Sequence, residues 1–260
     1  MALTAPAPAP APVLAPVRVD AARPPLLRVT LDSPATRNRL DDRTLHALAA
    51  ALDTAESSPG TDVFVIDATG DTFCSGISLG ADDRDGWQPR LTAVHDLLQR
   101  LSDSPLVTVA VVDGAATGGG VGLAAACDHV IAGPGASFRM TEVLLGLVPA
   151  VILPVVAERT GRHRAFSLAL GAQHVDGEQA ADLGLADQRT DDCRHELRLL
   201  LRRLRAADPG AVRALKRYRR ELFPAPEGHA DRSVAVVAER LRDQRVHKRL
   251  NTFHRQGLIP

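Results

Sequence analysis

Three features of the chain could do chemistry together. Residues 114–128 hold three consecutive glycines, Gly118 to Gly120, after an apolar run from Leu106 to Val112. Glycines at a strand-to-helix turn let a ligand reach the backbone, and the helix they open leaves its first N–H groups without internal partners. Those donors, at the positive end of the helix dipole, suit an oxygen that becomes negative. A second turn of the same character, Phe73-Cys74-Ser75-Gly76-Ile77, follows another strand-like run. Two such turns can aim two backbone N–H groups at one carbonyl oxygen. The third feature is Glu142, an acid among Met140, Val143 and Leu144. A carboxyl in that setting should have a raised pKa, as acid–base work near neutrality needs. Each feature also has a plainer reading: a tight turn with close helix packing, and a helix N-terminal acid beside a capping Thr141.

The elements that would position these residues follow from apolar spacing. Leu26–Asp32, Asp62–Ala68, Leu106–Val112 and His129–Ala132 read as strands. Arg43–Ser57, with Leu45, Leu48 and Leu52, reads as a helix, as does Trp87–Ser102, ended by Ser104-Pro105. Thr69–Gly86 is a loop rich in Gly and Asp, and a short helix runs to Cys127. Alternating strands and helices of this length predict βαβ units, a parallel sheet and right-handed crossovers. Beyond Glu142 the pattern reads as wholly helical: Val151–Thr160, Arg164–Leu170, Gly177–Leu183, Cys193–Leu222 with a break near Pro209-Gly210, and His229–Phe253. The fold class is therefore α/β. A disordered Ala/Pro-rich tail is expected over residues 1–25, a core over 26–190 and a helical region over 191–260.

Composition narrows the function classes. The chain has 260 residues, 45% of them hydrophobic, enough for one domain with a full core. Its net charge of zero argues against a nucleic-acid binder. Charge is unevenly placed: Cys193 to Gln256 carries 17 Arg or Lys against 7 Asp or Glu. Three widely spaced cysteines, Cys74, Cys127 and Cys193, form neither a disulfide framework nor a metal-ligand spacing, which fits a reducing cytoplasm. No apolar run approaches the roughly 20 residues of a membrane span. Met1 to Pro16 has no basic start and no continuous apolar stretch, unlike a signal peptide.

Several ordered motifs resemble the enoyl-CoA hydratase/isomerase (crotonase) superfamily. They are Leu31-Asp32-Ser33-Pro34-Ala35-Thr36-Arg37-Asn38, Phe73-Cys74-Ser75-Gly76, Gly118-Gly119-Gly120-Val121-Gly122-Leu123 with Cys127-Asp128, and Ala180-Ala181-Asp182-Leu183-Gly184-Leu185-Ala186-Asp187. The resemblance runs from about residue 27 to the C-terminus. It implies a spiral of ββα repeats whose C-terminal helices cover the active site and build trimers. It implies an oxyanion hole from the N–H groups of Ile77 and Gly119, in a site lined by Cys74, Gly76, Gly118, Gly120, Leu145 and Pro149. Glu142 falls on the second of the two glutamates that hydratases use; the first would fall at Gly122, where no carboxyl is present. Ser78 and Leu79 stand where most members carry Asp and an apolar residue.

Single-glutamate members include Δ3,Δ2-enoyl-CoA isomerases and a polyketide branch. Thr141-Glu142-Val143-Leu144-Leu145-Gly146-Leu147-Val148-Pro149-Ala150, Leu153-Pro154 and Arg217-Tyr218-Arg219-Arg220 look most like the second group. That points to the dehydratase of β-branching cassettes, a hydro-lyase converting 3-hydroxy-3-methylglutaryl to 3-methylglutaconyl on an acyl carrier protein. The alternatives are a Δ3,Δ2-enoyl-CoA isomerase or enoyl-CoA hydratase of fatty-acid metabolism, or a non-catalytic assembly subunit. No cofactor or metal is expected beyond the phosphopantetheine or CoA that carries the substrate. The arginines recurring at helical spacing near the end, Arg213, Arg217 and Arg220, read as a docking face for the phosphopantetheine and acidic surface of a carrier protein or for the CoA 3′-phosphate, or as a solvated helix face. The apolar stripe Val234, Val237 and Leu241 needs a cover, expected from another subunit of a homotrimer or hexamer. His95, His229, His247 and His254 make no metal pattern, and Ser75 lacks the spacing of a hydrolase elbow.

Overall fold

The computed structural model describes residues 15–78, 86–224 and 227–255. The long apolar runs become the main sheet, six strands in the order β1-β2-β3-β5-β7-β10. At its centre β2 (Leu26–Leu31), β3 (Val63–Ala68), β5 (Val107–Val112) and β7 (His129–Ala132) run parallel, Val63 lying opposite Leu26 on one side and Val107 on the other. Strands β3 and β5 are buried along most of their length, as a sheet covered on both faces requires. One face, with Val65, Val109 and Ile131, meets Leu197 and Leu200 of a late helix; the other joins the large core.

A second sheet, in the order β4-β6-β8-β9, escapes sequence reading. Its strands β4 (Thr72–Cys74), β6 (Ala115–Thr117), β8 (Ser137–Arg139) and β9 (Val175–Asp176) have two or three residues each, too few to show a period of two. Two central strands of the main sheet are each followed by a partner in this small sheet and then a helix: β3, β4, α2 (Trp87–Asp103), and β5, β6, α3 (Gly119–Ala125). After β7 and β8 a 3-10 turn (Glu142–Leu145) leads into α4 (Leu153–Thr160). This is the ββα repeat that the resemblance implies.

Helix α1 (Asp42–Ser57) begins at Asp41, whose carboxylate accepts from Thr44 N at 2.9 Å, a cap worth about 1 kcal/mol. Arg90 on α2, almost fully buried, donates to both oxygens of Asp42 at 2.7 Å and to Ser78 O at 2.9 Å. One guanidinium thus pins α1, α2 and the chain just after Ile77 together, and its hydrogen bonds hold the Asp42 carboxyl below its ordinary range.

Several expectations are corrected. The chain is not a tail up to residue 25: β1 (Val17–Arg23) pairs antiparallel with β2, because Val17 is buried and the strand covers the sheet edge. Residues 1–14 lie outside the described part. The stretch beyond Glu142 is not wholly helical; besides β9 it holds β10 (Gln188–Arg189), which closes the main sheet beside β7. Helices α5 (Arg162–Leu170), α6 (Gly177–Asp182), α7 (Cys193–Arg205) and α8 (Pro209–Leu222) fall near their expected places. The last expected helix is two, α9 (His229–Leu241) and α10 (Gln244–Arg255).

That division also changes what covers the apolar stripe. Val234, Val237 and Leu241 are buried within this chain, as are Val246 and Leu250 of α10, because α9 lies on α2. The stripe therefore needs no second subunit.

Candidate active site

The two glycine turns meet. At Gly76, φ is +95°, and a Cβ there would lie 2.8 Å from Thr117 O and 3.2 Å from Gly119 N. Gly118 has φ +52°, and its missing side chain leaves room for the Glu142 carboxyl, whose Oε1 would be 3.1 Å from a Cβ. Both positions need glycine for conformation and for space. Strand-like bonds run on either side of Ile77: Leu40 N donates to Gly76 O at 2.8 Å, and Ser78 N to Leu40 O at 3.1 Å. Gly119 opens α3, where the Gly118 carbonyl accepts from Val121 N at 2.9 Å. Among the described residues the N–H groups of Ile77 and Gly119 have no backbone acceptor, and a Cβ on Gly119 would sit 3.3 Å from Ile77 N.

Glu142 starts the 3-10 turn that follows β8, and Leu147 N donates to its carbonyl at 2.8 Å. The C-terminal helices clamp that turn. Arg240 of α9 donates to Gly146 O at 2.9 Å, and Arg249 of α10 to Leu144 O at 3.1 Å. Burial pushes the Glu142 carboxyl up to about 7, against the N–H groups of Glu142 and Thr141, which pull it down. The residue is half-buried overall, but its Oε2 is closed off and has no hydrogen-bond partner among the described residues. A carboxyl poised near neutrality beside two free amides can move a proton to and from a carbon whose neighbouring carbonyl those amides polarise.

Position 122 is not an empty place for a second carboxyl. A Cβ on Gly122 would lie 2.4 Å from Ile152 Cγ2 and 3.2 Å from Leu98 Cδ1, so Ile152 already fills the volume. Gly122→Glu should destabilise the fold by about 1–3 kcal/mol, the usual penalty of overpacking, with no gain of water-adding activity. An unchanged thermal midpoint would show that this packing is wrong.

Of the residues expected at the site, Gly76, Ile77, Gly118 and Gly119 line one cleft with Glu142, Leu145 and Pro149. Cys74 and Gly120 do not. They stand behind its wall, where a Cβ on Gly120 would be 2.2 Å from Cys74 O, and burial pushes the Cys74 thiol up to about 12. Cys74, fully buried at the end of β4, packs into the core beside Phe73. Arg213, Arg217 and Arg220 lie on α8 and do not line the cleft. Arg213 reaches Asp62 at 3.4 Å and Arg220 approaches Asp103 at 3.9 Å, while Lys216 of the same helix is buried against Asp128 and donates to Leu106 O at 2.7 Å. Much of the basic face thus fastens α8 to the core. Arg217 is exposed and has no ion pair among the described residues. Leu79, in the departing first turn, lies outside the described residues.

Arg37, Ile152 and Val237 also line the cleft, although sequence reading did not assign them to the site. Arg37 has φ +55° and Asn38 φ +51°, a left-handed pair that costs a non-glycine residue about 1–2 kcal/mol. Asn38 holds the turn: buried, it accepts from Ser33 N at 2.8 Å and donates to Thr69 O at 3.0 Å and Thr72 O at 2.7 Å.

This architecture, with paired amides and a near-neutral carboxyl, defines a class of acyl-thioester enzyme, and comparison with known proteins gives the same class. The model of the enoyl-CoA hydratase/isomerase family matches residues 23–237. The bacillaene synthase dehydratase PksH of Bacillus subtilis is 29% identical over 195 residues, covering 73% of this chain and 75% of the relative. EchA14 of Mycobacterium tuberculosis, named a probable enoyl-CoA hydratase, is 36% identical over 168 residues, covering 63% and 66%. The crystal structure of an enoyl-CoA hydratase from Mycobacterium avium superposes with a TM-score of 0.83 at 26% identity, covering 94% of this chain and 98% of that one. The chain belongs to the enoyl-CoA hydratase/isomerase family, and is an enzyme of the hydratase and dehydratase type acting on acyl thioesters. No described helix is long and apolar enough to cross a membrane.

Proposed function

We propose that this enzyme eliminates water from a 3-hydroxyacyl thioester, with 3-hydroxy-3-methylglutaryl on an acyl carrier protein as substrate and the 3-methylglutaconyl thioester as product. The observation that carries the reading is a single carboxyl, Glu142, beside the Ile77 and Gly119 amides, with the volume at Gly122 filled by Ile152. The two N–H groups hold the thioester oxygen. Glu142 as carboxylate takes the α-proton, and the electron pair moves onto that oxygen as an enolate. As the carbonyl re-forms, the Cα–Cβ double bond closes and the C–O bond breaks. The departing hydroxyl takes the proton from Glu142 and leaves as water, restoring the carboxylate. Both proton transfers occur on one face, so one residue serves for a syn elimination. PksH, named a dehydratase, supports this reading.

A one-carboxyl site can also move a proton between two carbons, the chemistry of a Δ3,Δ2-enoyl-CoA isomerase. Incubation with 3-hydroxy-3-methylglutaryl carrier protein and intact-mass analysis distinguishes the two. Loss of one water is expected; no loss there, with turnover of a 3-enoyl-CoA or of crotonyl-CoA, would overturn the dehydratase. Inactivity on all three would leave an assembly subunit. Docking of the carrier protein is assigned to Arg217, exposed on α8. Arg217→Glu should raise the KM for carrier-bound substrate more than for a pantetheine thioester, and equal effects would remove the assignment.

The assembly proposal now rests on other residues. Phe166 and Leu170 on α5, with Leu215, Tyr218 and Leu222 on α8, are large apolar side chains left exposed on the single chain. Light scattering should give three or six times 27.6 kDa; a monomer would refute the assembly.

A further inference from the structure

Helix α9 walls the cleft with Val237 and, one turn further on, sends Arg240 to the turn that carries Glu142. The contact falls on a single peptide unit. Arg240 Nε donates to Gly146 O at 2.9 Å, and Leu147 N, on the other side of that same peptide bond, donates to Glu142 O at 2.8 Å. The guanidinium and the backbone of the acid are thus the two ends of one hydrogen-bond chain, in which each bond polarises and strengthens the next. Carbonyls at the end of a helical turn lack internal partners, and here the donor supplied from outside is charged. Helix α10 grips the turn as well. Arg249 donates to Leu144 O at 3.1 Å, and a Cβ on Gly146 would lie 3.1 Å from Val246 Cγ2. Gly146 has φ +81°, so the turn needs glycine for its conformation and for this contact. A 3-10 turn of four residues has weak bonds of its own, and its side chains are placed by what packs on it.

We propose that Arg240, seconded by Arg249, is a positioning residue for Glu142: the C-terminal helices hold the turn so that its carboxyl stays shielded and aimed at the reacting carbon. Neither arginine lines the cleft. The inference rests on reading Glu142 as the group that transfers protons, and it extends that reading to the helices behind it. Two ways of acting give opposite signs. Were Arg240 acting as a charge on the carboxyl, its removal would raise the carboxyl further. Acting through the turn, its removal admits water to a group that burial has pushed up to about 7, and the value falls back toward 4.5. Arg37, the one cation among the residues lining the cleft, is unchanged in every variant below.

The test uses Arg240→Met, whose unbranched stem keeps the packing of the arginine chain and lacks its donors. Turnover of 3-hydroxy-3-methylglutaryl carrier protein is one reading. The other is NMR titration of the Glu142 carboxyl carbon in the free enzyme, its signal identified by its absence from Glu142→Gln. Arg240→Met should lower kcat by up to about a hundredfold, the effect of a misplaced catalytic group, with KM nearly unchanged. It should also move the NMR midpoint, and that of kcat/KM, clearly below 7. Arg240→Lys, which keeps a cationic donor, should lie between the two proteins, and Arg249→Met should show the same changes in smaller measure. Arg240 also approaches Asp243 at 3.5 Å. Asp243→Asn removes that ion pair but keeps the cap that Asp243 Oδ1 gives Arg245 N at 2.8 Å, and should leave both readings unchanged. A lower melting temperature in Arg240→Met with kcat and both midpoints unchanged would make the arginine merely structural and overturn the inference, as would a midpoint that rises. Should Arg240→Met fail to fold, Arg249→Met decides by the same readings: a lowered midpoint supports the inference and an unchanged one overturns it. An enzyme that releases no water from this substrate would refute the dehydratase, while the NMR titration still decides the role of Arg240. A wild-type Glu142 midpoint near 4.5 would overturn the reading of Glu142 itself, and this inference with it.

Discussion

Glu142→Gln should lose about 10²- to 10⁴-fold in turnover and, above pH 7, unfold at a higher temperature than the wild type. The first effect follows because one group performs both proton transfers. The second follows from linkage. The folded-state pKa is raised from 4.5 to about 7, so Glu142 contributes most to stability below pH 4.5, where both states hold the proton. That contribution falls as pH rises, and above about 7 the folded protein carries a buried carboxylate that the unfolded chain would hydrate. The shift corresponds to up to about 3 kcal/mol, which glutamine, always neutral, does not lose. Melting midpoints of the two proteins should therefore coincide near pH 4.5 and diverge by several degrees at pH 8. The wild-type kcat/KM should rise with pH through a midpoint near 7, because the base must be ionised. A variant that kept more than a tenth of the rate would show another residue to be the base. A melting difference independent of pH would show that the carboxyl is not shielded from water.

Removing the Gly119 donor should cost about 10²- to 10³-fold in kcat, the usual effect of one lost oxyanion donor. Proline removes the N–H and is tolerated at the first residue of a helix, where Gly119 stands. Its Cβ would lie 2.9 Å from Ile77 Cγ1, so the experiment belongs in an Ile77→Ala background, which makes room. Ile77→Ala with Gly119→Ala keeps both amides and the same crowding; it should keep most of its turnover, since only the backbone of Ile77 is invoked. Ile77→Ala with Gly119→Pro should not. If the two double variants turned over equally, the Gly119 amide would have no part in catalysis.

Elements long enough to show a period were legible in the chain: the four central strands, and α1 and α2, lie within a residue or two of their expected bounds. The small sheet was not, because Thr72–Cys74 or Ala115–Thr117 is shorter than the repeat that would reveal it. The stripe of Val234, Val237 and Leu241 was visible as apolar, but its cover was not; α2 rather than a partner supplies it. Arg213 looked free because its partner Asp62 is 151 residues away in the chain.

The same division runs through the site. Sequence alone determined that two glycine turns follow strands and that one acid sits among apolar residues, because backbone freedom and local polarity act over a few neighbouring positions. Tertiary structure alone decided that Gly118 makes room for Glu142, that Ile152 fills the volume at Gly122, that Cys74 and Gly120 face away from the cleft, and that Arg37 and Ser75 line it. Which side chain occupies a given volume depends on close packing between segments remote in the chain, and no local pattern records it.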